Sequence, residues 1–202
     1  RYARYQMRAV WMPVSSYTVA GLSGMVFRLP ADVELPSQLE YLEANADGAG
    51  LSLEQLAKLC LDEVLIVGRS ILLSEYPQSE PGLSAEEVAR RNLQARITTY
   101  AAEAVDNWKF ELVGGVMKLT MIKLCEQTEI EKDEFTVEIK KQYRVLRLRN
   151  GVYTQAIYDE KGEVVVKEFA PVDFTGSTFD HIPLQIIGAE NNRPDIDQAP
   201  IS

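Results

Sequence analysis

Histidine occurs once in this chain, as His181. Any Ser/His/Asp or Cys/His chemistry would have to pass through it. It stands in "FDHIPLQ", beside Ile182-Pro183 at the start of an apolar stretch, and Asp180 next to it would point to the opposite face of a strand. The reading is a partly buried side chain that bonds a turn; a hydrolase working through His181 is the least favoured function. Cysteine is almost as scarce. Cys60 and Cys125 are far apart and outside any CxxC spacing, which fits packing roles in a reducing compartment rather than a disulfide, redox or metal site. No apolar run approaches the ~18 residues needed to cross a bilayer. No GxGxxG or GxxxxGK[ST] loop is present, and "DIDQAP" holds only a fragment of a calcium-binding spacing. Positive charge is in deficit as well. Lysine and arginine total 21 against 30 acidic residues, a net charge of −9 that disfavours tight, salt-driven wrapping of nucleic acid. It leaves room for a wall past which DNA slides without sticking.

What is there is ordinary globular material, 46% hydrophobic and 25% charged, enough to bury a sizeable core. The first half reads as helices. Arg1–Met12 is helical in period, with Arg1, Arg4 and Arg8 on one stripe, and Pro13 interrupts it. Val14–Leu29 resumes the period, with Ala20, Gly21 and Gly24 forming a small-residue face suited to close helix packing. Ser37-x-x-Glu40, Ser52-x-x-Gln55 and Ser84-x-x-Glu87 all fit the capping box. In the helix begun by Ser52, Glu54, Gln55, Lys58 and Asp62 make a polar stripe and Glu54–Lys58 a favourable pair. Leu56, Ala57, Cys60, Leu61, Val64 and Val67 make the apolar side. Its last turn is apolar nearly all round and predicts cover on every side. Gly68 closes the helix, Arg69 suits its negative end, and the apolar run Ile71–Leu73 follows as a strand buried on both faces. This joint, Ser52 to Pro77, is the expected centre of the core.

The second half changes to a period of two. "NWKFELVGGVMKLTMIKLCEQ" predicts two strands joined at Gly114-Gly115, and "EIEKDEF" an acidic turn. Three further strands follow, separated at Asn150-Gly151 and Glu160-Lys161-Gly162, then a short strand Ile182–Ile187 broken by Pro183. Arg96–Tyr100 is a further candidate strand, and Ala101–Asn107 a helical turn. The fold class is therefore α+β, with N-terminal helices packed on a mostly antiparallel meander sheet. The expected organisation is a single region: 1–106 mainly helical with one buried strand at 70–76, 107–188 the meander, and 189–202 an irregular tail.

Candidate chemistry is sparse. Glu126, Glu129, Glu131, Asp133 and Glu134 cluster in sequence, but on a predicted exposed turn where they repel one another and stay ionised. On a strand, Lys141, Tyr143, Val145, Arg147 and Arg149 share one face, which suits contact with the neighbouring acidic run or with another subunit better than contact with phosphates. The reading assigns no catalytic, cofactor-binding or metal-ligating residue.

Several segments, taken in order, resemble the tailed-phage portal proteins, in particular the portal-like group catalogued as a domain of unknown function. They are "TVAGLSGMVFRLP", "DGAGLSLEQLAKLCLDEVLIVGRSILLSEYP", "YAAEAVDNWKFE", "KKQYRVLRLRNGVY" and "IPLQIIGAENN". The resemblance spans almost the whole chain and contains no catalytic motif, so no functional residue carries over. It implies the wing part of a longer portal subunit, with the stem, clip and C-terminal helices lying elsewhere; the chain's start at Arg1 in mid-helix agrees with a piece of a longer protein. It further implies a homo-oligomeric ring, commonly of twelve copies, at one capsid vertex. The partners implied are the terminase motor, the major capsid or scaffold protein and neck or adaptor proteins. DNA would pass through the ring without sequence specificity. The implied location is the virion, and the host cytoplasm during assembly. The alternative is another phage head or neck adaptor, or a binding module.

Overall fold

The structure is a computed structural model and describes residues 12–77, 85–91, 93–173 and 176–188. The expected Arg1–Met12 helix, the capping serine Ser84 and the 189–202 tail fall almost wholly outside these residues. Within them the chain is α+β, with its N-terminal helices packed on an antiparallel sheet.

Helix α1 (Val14–Val26) starts directly after Pro13 and packs against α3 (Leu53–Val67), burying only Val19 and Ser23. The small-residue face is not used as expected: a methyl group added at Gly21 or Gly24 would meet nothing. One narrow seam holds α1, so its glycines look into solvent. The capping box at Ser37 does not form either. Residues 37–40 make a turn, and α2 (Tyr41–Ala44) begins at Glu40 without a side-chain cap. The box at Ser52 does form. Ser52 Oγ accepts from Gln55 N at 3.2 Å and Gln55 Oε1 accepts from Ser52 N at 2.9 Å. The loop before it is wired as tightly, since Asp47 Oδ1 accepts from the amides of both Ala49 and Leu51.

Strand β1 (Ser70–Glu75) is the middle strand of a three-stranded antiparallel sheet, flanked by β2 (Arg96–Tyr100) and β8 (Leu184–Ile187). A short helix, α4 (Ala85–Arg90), and a 3₁₀ turn (Ala102–Ala104) lie either side of β2 in the chain. The remaining strands form the meander: β3 (Val105–Val113), β4 (Val116–Asp133), β5 (Thr136–Arg149), β6 (Val152–Asp159) and β7 (Val164–Phe169), paired in that order. The hairpin turns at Gly114-Gly115, Asn150-Gly151 and around Gly162 fall where the sequence places them. The Ile182–Ile187 segment leaves the meander and pairs with β1, Ile71 opposite Ile186.

These elements stack in three layers. Leu72 and Ile97 face the helices and meet Ala46, Leu56 and Cys60 in a small cluster. Ile71, Leu73, Tyr100, Ile182 and Ile186 face the meander and meet Ile122, Leu124, Leu146 and Tyr153 in the main core. β1 is thus buried on both sides, as its apolar run predicts. The helix end is not. Ile66 is 51% exposed, because α3 rests on one sheet face and α1 covers little of the rest. The core's centre is the strand side of the helix–strand joint.

Gly68 ends α3 at φ 86°, and Gly188 crosses it closely at φ 90°. A Cβ at Gly188 would stand 2.5 Å from the Gly68 carbonyl oxygen and 3.0 Å from both Val64 methyls. Backbone at φ > 0 alone costs a side chain roughly 1–2 kcal/mol, and here the helix end must also move. Gly188→Ala is expected to lower stability by about 2 kcal/mol or more, measured by urea unfolding; an unchanged midpoint would show that β8 does not dock where described.

Candidate functional site

The structure separates residues that cluster in sequence. The acidic run is not a turn. β4 continues through Asp133, and the turn is only Glu134-Phe135. Glu129, Glu131 and Asp133 therefore lie on a projecting strand, whereas Glu126 points into the space between the sheets, where it is 12% exposed. The strand alternation of Lys141, Tyr143, Val145, Arg147 and Arg149 holds, and this face lies away from the main inter-sheet core, with only Val145 buried on it. Arg147 sits over the Tyr158 ring at 5.8 Å, Arg149 pairs with Glu168 at 3.4 Å, and Lys123 covers the Tyr143 ring at 3.8 Å while pairing with Asp106. Most of its charges thus have internal partners. His181 is a correction: it is 63% exposed and in a bend rather than a strand, so Asp180 turns back to it, 2.8 Å from Nδ1. Burial pushes the Cys60 thiol up, which fits a packing role; Cys125 is half-buried opposite Tyr143.

The densest chemistry is a buried ion network that the sequence reading did not single out. Arg144, 17% exposed, reaches across the sandwich from β5. Its Nε donates to Glu126 Oε1 at 2.6 Å on β4, and its Nη1 lies 2.9 Å from Glu75 Oε1 at the end of β1. The second contact is an ion pair without hydrogen-bond alignment, since Glu75 Oε1 has no directed donor. Glu75 Oε2 accepts from Arg96 Nε at 2.9 Å and from Thr98 Oγ1 at 3.0 Å. Tyr100 donates to Glu126 Oε1 at 2.7 Å, and Gln142 donates to Glu126 Oε2 at 2.8 Å. Two carboxylates and two arginines from four strands thus tie the sheets together.

Burial alone would raise the Glu126 carboxyl, but the hydrogen bonds from Arg144 and Tyr100 outweigh it and hold the group below its usual range. Burial works against the Arg144 charge too; Glu126 and the other negative neighbours overcome it and raise that group. Burial drives the Tyr100 and Tyr153 hydroxyls well above the ordinary phenol range. These four groups each keep one protonation state across neutral pH. The network supplies fixed charge and stiffness rather than a proton in transit.

A cavity of about 420 Å³ opens beside the network, between the sheets, walled by Ile157, Val166, Phe169, Phe179 and Pro183, with Arg96 and Arg144 at its polar end. Among the described residues no group of three or more histidine, cysteine, aspartate or glutamate side chains gathers to hold a metal, and no helix is long and apolar enough to cross a membrane. The signal that could have found Arg144 is the β5 alternation. Gln142, Arg144, Leu146 and Leu148 share the second face, and the two leucines mark it as the core side. Comparison with known proteins returns no matching protein-family model and no matching curated protein.

Proposed function

We propose that this chain is a structural virion component, a portal-like subunit that assembles with further copies of itself into a ring at a capsid vertex through which DNA is packaged and ejected. The family reading comes from the segment resemblance. The observation that carries an assembling role is the apolar face of α1: Val14, Tyr17 and Met25, within about 80° of arc at ~3.6 residues per turn, are each more than 60% exposed on a helix held by a single seam. Patches of this kind mark interaction surfaces. The inter-sheet salt network suits a subunit that transmits load between a motor and a shell, because its ion pairs cross-link the two sheets. The net charge of −9 suits a wall that must not hold DNA. In this reading the further partners are terminase, capsid or scaffold protein, and neck proteins.

The test is imaging of the full-length subunit by negative-stain electron microscopy, with its mass by light scattering. Rings with a central hole are the expected result. A strict monomer at high concentration would remove the portal reading and leave an adaptor or other binding module of the phage head or neck as the alternative.

A further inference from the structure

Beyond Glu126 and Gln142, strands β4 and β5 leave the sandwich. β3 pairs with β4 only as far as Leu124, and β6 pairs with β5 only as far as Gln142. Residues 127–141 therefore form a two-stranded arm, roughly 20 Å long at about 3.4 Å per residue. Almost every residue on it is exposed, and it carries Ile130, Val137 and Ile139 on its flanks and Phe135, 94% exposed, at its tip. Asp133 Oδ1 accepts from Phe135 N at 2.8 Å, which fixes the turn that presents the ring. Lys132 and Lys140 share Glu138, at 3.1 and 3.7 Å, and the arm's five carboxylates outnumber its three lysines, so Asp133 and Glu134 leave the tip acidic. A two-stranded ribbon with large apolar side chains in water is marginal by itself, and free strand edges invite pairing.

The same chain contains a cavity large enough for such a side chain. The inter-sheet cavity is nearly three times the ~150 Å³ that holds a benzene ring in an apolar interior. Phe169 and Phe179 offer ring edges and faces, and Arg96, half exposed, stands near the mouth. Arg144 is taken up by Glu126 and Glu75, but Arg96 uses only its Nε on Glu75, so its outer guanidinium N–H groups suit the Asp133-Glu134 carboxylates. Phe135 stands at the far end of the arm, nine residues along the chain from Arg144, which lines the cavity.

We propose that Phe135 of one copy inserts into the inter-sheet cavity of a second copy, with Asp133 and Glu134 meeting Arg96 at the rim. The contact is head-to-tail, so it leaves a free arm and a free cavity at the ends of any open chain and closes only into a ring. It needs only a second copy of this chain and does not rest on the portal reading.

The test mixes two separately purified full-length variants, Phe135→Cys and Val166→Cys, each also carrying Cys125→Ser, under mild oxidation. Disulfide-linked pairs are expected in the mixture, absent from either variant alone, with the 135–166 bond found by peptide mapping. Phe135→Asp, which changes a side chain surrounded by water in the single copy, is expected to weaken self-association roughly tenfold or more in sedimentation while leaving the circular dichroism and Tm as in the parent. Cross-linking no faster than to a Glu160→Cys control, or undiminished self-association of Phe135→Asp, would overturn the contact. Cross-links without rings would retain it and remove the portal reading; rings without the cross-link would do the reverse.

Discussion

Arg144→Leu is expected to destabilise the protein by about 3–5 kcal/mol at neutral pH, because it strands Glu126 and half of Glu75 in the space between the sheets without the cation both share. The loss should depend on pH in a defined direction. In the parent, Glu126 titrates below its unfolded value of about 4.3, so it contributes stability that is present above that pH and is lost as pH falls through the folded value. In Arg144→Leu the main lowering influence is gone and burial dominates, which raises the folded value instead. The variant then loses stability as pH rises through and beyond the unfolded value. The gap between parent and variant is therefore widest near pH 7 and closes toward pH 3–4. Urea unfolding across that range checks it. The double variant Arg144→Leu/Glu126→Leu is expected to recover part of the loss, since Glu75 keeps Arg96 and Thr98. A loss under about 1 kcal/mol that ignores pH would mean that water screens the network.

Leu73→Ala is expected to cost about 2–5 kcal/mol, whereas Leu59→Ala should stay within about 0.5 kcal/mol. Both leucines belong to the helix–strand segment, but Leu59 stands one turn from both Gln55 and Asp62, beside the polar stripe of the helix and off its apolar side. Leu73 is 1% exposed, between the two sheets, while Leu59 stands on the open side of α3. Removing the Leu73 side chain leaves a cavity that neither sheet can close without the other moving. Amide exchange should divide the segment the same way, slow at Ile71–Leu73 and faster at Leu65–Ile66. Equal costs for the two substitutions would refute the sandwich as the seat of stability.

That contrast marks how far the sequence could be read. The helix begun at Ser52 and closed at Gly68 and the hairpins at Gly114-Gly115 and Asn150-Gly151 depend on neighbours a few residues apart, and each stands where it is expected; the two-sided burial of Ile71–Leu73 is legible from the unbroken apolar run, though distant residues supply the cover. The acidic segment was misread for a physical reason. Charge density mimics a turn, but the pairing of Glu129 with Ile139 and Asp133 with Thr136 extends the strands through it. The Ser37 box failed because a capping pattern has no effect where the chain is not helical.

Local rules thus determined the α+β class, the element order, the caps and the tight turns, because backbone conformation and hydrogen bonding within a few residues set those. Only the tertiary structure decided that β8 returns to β1, that a second sheet lies against the meander, and that Glu75, Arg96, Glu126 and Arg144 converge. Those contacts join positions as far apart as Ser70 and Ile187. Which face of a strand is buried depends on what the rest of the chain lays against it, and no short window of sequence contains that information.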